Sequence, residues 1–239
     1  DPRYQRGLEF WNLGLYPAAN AEFDALRLAV ETDPALSYRL ANLLLELGAY
    51  RPAILATRQV LNLAGMDDAA TLDAPIYFNH IRFGTYYREL VIPLAEEYGF
   101  TPFLVWSTMR QESLFERGIR SSVGARGLLQ IMPATGQEIN GRLGWPPNFT
   151  TADLDRPVVS IEMGLFYLDA QRDALDGSLY AALAAYNGGP GNASIWLRLT
   201  ESGDPDLFLE IVRFDETRRY IKGIYEIFSL YRRLYERTS

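Results

Sequence analysis

A carboxylate at the end of an apolar helical stripe is the first feature of this sequence that suggests chemistry. Val105, Met109 and Glu112 are separated by four and three residues, so on a helix they share one face. A glutamate at the end of such a stripe is partly desolvated, which favours its protonated form. A carboxylic acid that keeps its proton near neutral pH is what general acid catalysis requires. A helix-end glutamate paired with Arg110, Arg117 or Arg120 fits the same spacing, and Glu116, four residues on, satisfies the criterion equally. The local pattern does not choose between them.

Two further segments offer polar groups on glycine-punctuated turns. In Arg120–Pro133, Gly124 and Gly127 permit a tight turn, and Ser121 and Gln130 present a hydroxyl and an amide suited to sugar hydroxyls or an acetamido group. In Ala184-Ala185-Tyr186-Asn187-Gly188-Gly189-Pro190-Gly191 an alanine-rich helix ends in a forced turn. Its small residues allow close helix approach and present Tyr186 and Asn187 at the terminus. No strand precedes this turn, so it is not a nucleotide-binding glycine motif.

Composition narrows the chemistry. The 239 residues include no cysteine and one histidine, His80. That excludes thiol nucleophiles, cysteine-based zinc sites and multi-histidine metal sites, so no metal and no cofactor is expected. Catalysis must rest on carboxylates, hydroxyls, amides and tyrosines. The net charge of −7 argues against a nucleic-acid partner. The stretch 216–237 departs from it, with six Lys/Arg against three Asp/Glu, and reads as a solvated basic helix face. No apolar run reaches the roughly 18 residues of a membrane span.

The elements that position these groups read as helices. Thr101-Pro102 marks a helix start, with threonine as N-cap and proline in the first turn. Pro93, inside the pattern of residues 86–98, predicts a kink or a helix start. Leu143–Thr151 reads as a loop. Ile221, Ile224, Tyr225, Phe228, Tyr231 and Tyr235 form the core face of a last helix. Strand alternation is absent, and the expected fold class is mostly all-α. Ahead of these elements the chain repeats itself. Leu13-Gly14-Leu15-Tyr16-Pro17-Ala18-Ala19 returns as Leu47-Gly48-Ala49-Tyr50-Arg51-Pro52-Ala53, an offset of 34 residues. This resembles tetratricopeptide repeats, with one residue fewer between Gly and Tyr than is usual. Two such repeats are too few to stand alone, so they must cap a longer array or dock on the rest of the chain. Gly65–Ala74 reads as a connector, which divides the chain into a helical-repeat segment, 1–73, and a second domain, 74–239.

Four motifs then occur in a telling order: Gln111-Glu112-Ser113, Gly127-Leu128-Leu129-Gln130-Ile131-Met132-Pro133, Ala185-Tyr186-Asn187-Gly188-Gly189-Pro190-Gly191, and Phe214-Asp215-Glu216-Thr217-Arg218-Arg219-Tyr220. In that order, and with nine residues from Glu112 to Ser121, the region from about residue 75 resembles the soluble lytic transglycosylases. The resemblance implies a lysozyme-like helical catalytic domain preceded by an α-superhelical segment. It implies an enzyme cleaving the β-1,4 bond between N-acetylmuramic acid and N-acetylglucosamine in peptidoglycan, without water and with closure of a 1,6-anhydro ring. Glu112 corresponds to the single catalytic acid/base. Ser121 corresponds to the serine near it, Gln130 and Met132 to glycan contacts, Tyr186 and Asn187 to the third motif beside the reacting sugar, and Glu216 to the groove-lining glutamate of the last motif. Leu129, Ser122 and Arg213 stand where the family usually has Met, Pro and Pro.

The implied partner is the peptidoglycan glycan strand. The implied location is the bacterial cell envelope, periplasmic or extracytoplasmic, and the repeats offer a candidate surface for a protein partner. Asp153, Asp155 and Glu162 keep open a second carboxylate, and with it a hydrolysing muramidase on the same fold. A glycan-binding protein without activity and a helical-repeat adaptor are the readings from other classes.

Overall fold

In the computed structural model, which describes residues 1–68, 71–200 and 204–236, the chain is helical and carries no strand among the described residues. Four helices form two hairpins: α1 (Pro2–Asn12) with α2 (Tyr16–Ala29), and α3 (Pro34–Leu47) with α4 (Tyr50–Leu63). The 34-residue period is visible here, since α2 and α4 start at the equivalent Tyr16 and Tyr50. The equivalent Ala19 and Ala53 are both fully buried. Asp33 caps α3, its carboxylate accepting from the amides of Ala35 and Leu36 at 2.9 Å each, and Pro34 fills the first helical position. Phe23, Leu40 and Leu44 form the apolar centre of this unit.

After the connector come α5 (Ile76–Arg82), α6 (Arg88–Glu97), α7 (Pro102–Ser113), α8 (Pro133–Leu143), a 3-10 turn (Thr151–Asp155), α9 (Pro157–Ala174), α10 (Leu179–Gly188), α11 (Pro190–Leu199), α12 (Pro205–Ile211) and α13 (Asp215–Tyr235). Pro93 lies within α6, which starts five residues earlier after a left-handed Tyr87, so the proline neither opens the helix nor ends it. Thr101 occupies the N-cap of α7 without a capping hydrogen bond from its side chain. The proline after it supplies the helical φ instead. His80 is exposed, its ring stacked on Tyr235.

The main core gathers α6, α7, α9, α10 and α13 around Val105, Trp106, Met109, Leu128, Ile161 and Ile224. Ala181, Ala182, Ala184 and Ala185 are buried all round α10, and the absence of bulk lets it lie against α9 and α13. On α13 the expected stripe is seen, with Ile221, Ile224 and Tyr231 buried and Tyr225, Phe228 and Tyr235 packed at its margin. The same core includes Ile54 of α4, so apolar packing runs unbroken from the second hairpin into the helices around α7. No helix among the described residues is long and apolar enough to cross a membrane.

Candidate active site

The site forms where α7 stops. Leu104, Val105, Trp106 and Met109 sink the helix into the core, and its last turn brings up Gln111, Glu112 and Ser113. The helix is then broken by two non-glycine residues in left-handed conformation, Leu114 (φ 49°) and Phe115 (φ 64°). The Ser113 hydroxyl supports that turn. It accepts from the Phe115 amide at 3.1 Å and lies 3.0 Å from the carbonyl of Met109 and 2.9 Å from that of Leu128.

Glu112 accepts a hydrogen bond of 2.5 Å from the hydroxyl of Tyr220, a buried residue of α13. Burial pushes the Glu112 carboxyl up from its ordinary value to about 7, and the Tyr220 hydrogen bond pulls it part of the way back. Burial raises the hydroxyls of Tyr220 and Tyr186 well above the ordinary tyrosine range, and the nearby Glu112 charge raises them further, so both stay neutral donors. The arginines that the sequence offers as partners for Glu112 lie elsewhere. Arg110 donates to the carbonyl of Arg82 at 2.9 Å, Arg117 packs over Trp11, Tyr16 and Tyr87, and Arg120 lies 3.7 Å from Asp155. Glu116, equal to Glu112 in the sequence pattern, is buried where Glu112 is half-buried, and it is bound by Asn20 and Arg51 of the hairpins.

Four hydrogen bonds join the four motifs into a ring. Ser113 of the first contacts Leu128 of the second. Tyr186 of the third donates to the carbonyl of Leu129 in the second at 2.7 Å. Thr217 of the fourth donates to Asn187 of the third at 2.7 Å. Tyr220 of the fourth closes the ring on Glu112. The second motif is held from behind by Gly127, at φ +76°, where a Cβ would stand 2.0 Å from the carbonyl oxygen of Leu154. Arg126 adds a two-pronged pairing with Asp155.

Glu112, Tyr186 and Asn187 therefore come together through this ring. Gln130 stays within its own loop, its amide nitrogen donating to the carbonyl of Gly127 at 2.8 Å and lying 3.4 Å from that of Ile119. Ser121 accepts from the Ala125 amide at 3.0 Å in its own turn, and no hydrogen bond joins it to Glu112 among the described residues. Met132, at the start of α8, is 41% exposed, and Glu216 is exposed in the first turn of α13.

The three further carboxylates are engaged elsewhere. Asp153 accepts from the amide of Thr150 at 2.8 Å and from Arg156 at 3.1 Å, Asp155 holds Arg126, and Glu162 accepts from the hydroxyl of Tyr98 at 2.6 Å. Sequence reasoning passed over Tyr220 and Thr217. The signal for both was their place on the core face of α13, Thr217 four residues ahead of Ile221 and Tyr220 four residues ahead of Ile224. A hydroxyl turned into a core needs a partner.

The transglycosylase SLT domain model matches residues 89–209, half of the chain. The soluble lytic murein transglycosylase of Salmonella typhimurium is 31% identical over 152 residues, which cover 63% of this chain and 24% of that relative. Among solved structures, an inactive glutamate-to-glutamine mutant of the lytic transglycosylase Slt from Pseudomonas aeruginosa superposes with a TM-score of 0.76 and 30% identity, covering 98% of this chain and 35% of that one. The 70 kDa soluble lytic transglycosylase of Escherichia coli gives a TM-score of 0.80 at 26% identity, covering 98% and 35%. The chain thus spans about a third of the length of these solved relatives.

Proposed function

This chain belongs to the transglycosylase SLT domain family, and from that membership we propose that it is a lytic transglycosylase acting on peptidoglycan glycan strands, with Glu112 as its only acid/base. The observation that carries the reading is the environment of Glu112. Burial and the Tyr220 hydroxyl set its proton affinity, no second carboxylate acts on it among the described residues, and its pKa of about 7 lets one group serve first as acid and then as base.

In the first step protonated Glu112 donates to the glycosidic oxygen between N-acetylmuramic acid and N-acetylglucosamine. The C1–O bond breaks, and the 2-acetamido oxygen of the muramoyl sugar closes on C1 as an oxazolinium. In the second step the Glu112 carboxylate takes the proton of the C6 hydroxyl. The C6 oxygen attacks C1, the oxazolinium opens, and a 1,6-anhydro ring forms. Glu112 ends protonated, and no water is consumed. Tyr186, neutral and held beside Glu112 by the Leu129 carbonyl, is the residue we assign to the reacting sugar. Asn187, Gln130 and Met132 contribute to the glycan groove, with Ser121 and Glu216 at its margins.

Residues 74–239 carry the catalysis, and residues 1–73 are the helical-repeat segment that leads into it. The site of action is the bacterial cell envelope. A muramidase would require a second carboxylate to activate water. Asp153, Asp155 and Glu162 are each committed to other partners, which favours the single-carboxylate reading.

Glu112→Gln preserves the shape of the side chain and the contact with Tyr220 while removing the titratable proton. Release of soluble fragments from purified peptidoglycan is expected to fall by at least about a thousandfold in this variant, the scale of losing the principal acid/base. Its far-ultraviolet circular dichroism should be unchanged. Release at near wild-type rate by a folded variant overturns the assignment.

A further inference from the structure

Between Glu112 and Ser121 the chain leaves α7 and packs against the hairpins. Three consecutive residues make the contact. Glu116, 8% exposed, accepts from Nδ2 of Asn20 at 3.0 Å and pairs with Nε of Arg51 at 3.2 Å. The Arg117 guanidinium lies 4.9 Å from the ring centre of Tyr16 and 5.7 Å from those of Trp11 and Tyr87, and reaches the Tyr16 hydroxyl at 3.3 Å. Gly118 packs on Pro17, where an added Cβ would stand 3.7 Å from the proline ring. Arg51 is itself oriented by Asp24 at 2.8 Å. An aromatic series runs in parallel: Tyr50 stacks on Tyr86 at 4.0 Å, and Tyr86 meets Phe115 edge-on at 5.1 Å.

This contact sits directly behind the turn that ends α7. Leu114 and Phe115 hold left-handed conformations that L-residues adopt only when their surroundings impose them. On one side Ser113 imposes the turn. On the other, Phe115 packs in the main core against Tyr86 with the Tyr87 hydroxyl 3.4 Å from its carbonyl, both tyrosines rest on Tyr50 of α4, and the next residue, Glu116, is tied to the hairpins. If the turn relaxes, the last turn of α7 frays, and Glu112 is in that turn.

Resting on the reading of Glu112 as acid/base, we propose that Arg51 is a positioning residue for it. By binding Glu116, Arg51 fixes the left-handed turn that keeps the Glu112 carboxyl buried against Tyr220. The hairpins are thereby part of the catalytic machinery, acting from behind the site rather than on substrate. The groups facing Glu112 are Tyr220 from α13 and Tyr186 from α10. Those facing Glu116 are Arg51 from α4 and Asn20 and Asp24 from α2. None of the hairpin groups acts on Glu112 directly, so a change in Glu112 titration on altering Arg51 must travel through the turn.

The test uses the full chain with Arg51→Met, which keeps the stem and removes the charge, and Arg51→Lys, which restores the charge. Two quantities are read: kcat and KM on purified peptidoglycan across about pH 5 to 9, and the titration midpoint of Glu112 by carboxyl 13C NMR, assigned by the signal lost in Glu112→Gln. In Arg51→Met, kcat is expected to fall roughly tenfold with KM changing less than about threefold, and both the Glu112 midpoint and the alkaline limb to move about one pH unit toward acid as the carboxyl gains water. Arg51→Lys should recover part of each. A folded Arg51→Met with wild-type kcat and an unmoved Glu112 midpoint overturns the proposal. If Arg51→Met does not fold, Glu116→Gln, which keeps the size and the Asn20 contact but loses the ion pair, carries the same expectations and the same overturning result. The two claims fail separately. Activity retained by Glu112→Gln removes the acid/base assignment, whereas an inactive Glu112→Gln beside an unchanged Arg51→Met removes only the positioning role.

Discussion

Two glutamates four residues apart end up with different tasks because of what faces them. Glu112 meets a tyrosine hydroxyl in desolvated surroundings, so it keeps its proton to about pH 7. Glu116 meets an arginine, a structural pairing. The local sequence could place both near the end of an apolar stripe but could not tell them apart. The deciding partners lie 108 residues downstream for Glu112 and 96 residues upstream for the Asn20 contact of Glu116.

The raised pKa of Glu112 has a consequence for stability. Its native carboxyl holds the proton more tightly than the unfolded one, so the native state loses ground as pH rises between 4.5 and about 7. The cost is absent below that window and complete above it, at most about 3 kcal/mol for a shift of this size. Glu112→Gln is therefore expected to unfold at a higher temperature than wild type at pH ~8 and at nearly the same temperature at pH ~4. Equal shifts at both pH values in calorimetry would contradict a carboxyl whose proton is held by desolvation. Tyr220→Phe removes a hydrogen bond that favours the carboxylate, so the alkaline limb of kcat/KM should move to higher pH while the protein stays folded. A limb that stays in place or moves to lower pH would mean that Tyr220 does not govern the proton on Glu112.

Among the elements, glycine and proline punctuation was the most legible part. The loop after Leu143, the start of α7 and the alanine-rich α10 all fall where turn chemistry put them; in the connector, Gly65–Ala74, residues 69 and 70 lie outside the described residues. For Pro93 the sequence left a position inside the helix or at its start open, and it lies inside α6, where tertiary packing carries the helix past its missing hydrogen bond. The ring of four hydrogen bonds was not legible either. It depends on hydroxyls of Ser113, Tyr186, Thr217 and Tyr220 meeting across four separate elements, and sequence spacing says nothing about such meetings. The loop between α7 and α8 shows how tight the fit is. Gly127→Ala would combine an unfavourable φ with a Cβ inside the carbonyl of Leu154, so a loss of at least about 2 kcal/mol is expected in urea unfolding, together with reduced activity. A neutral Gly127→Ala would mean that the loop yields easily and does not fix Leu128 and Leu129 against Ser113 and Tyr186.

For the molecule as a whole, the repeat period gave away the hairpins, but not how they dock. Their junction is made of Ile54 in the main core, Tyr50 on Tyr86, Arg117 among three aromatic rings and the Glu116 pairing. A junction this extensive couples the hairpins to the helices around α7 in unfolding. Phe23→Ala empties the centre of the hairpin core and should cost about 3–5 kcal/mol, lowering one shared transition. Two separate transitions in the calorimeter would show that the hairpins unfold on their own.

The measurement that bears most directly on the single-glutamate account is mass spectrometry of the fragments released from purified peptidoglycan by the wild type and by Glu112→Gln. The account predicts muramoyl ends one water lighter than reducing ends, the mass of a 1,6-anhydro sugar, present with the wild type and absent with the variant. Reducing ends from the wild type would contradict it, because they require an activated water and a second carboxylate that the ring around Glu112 does not hold.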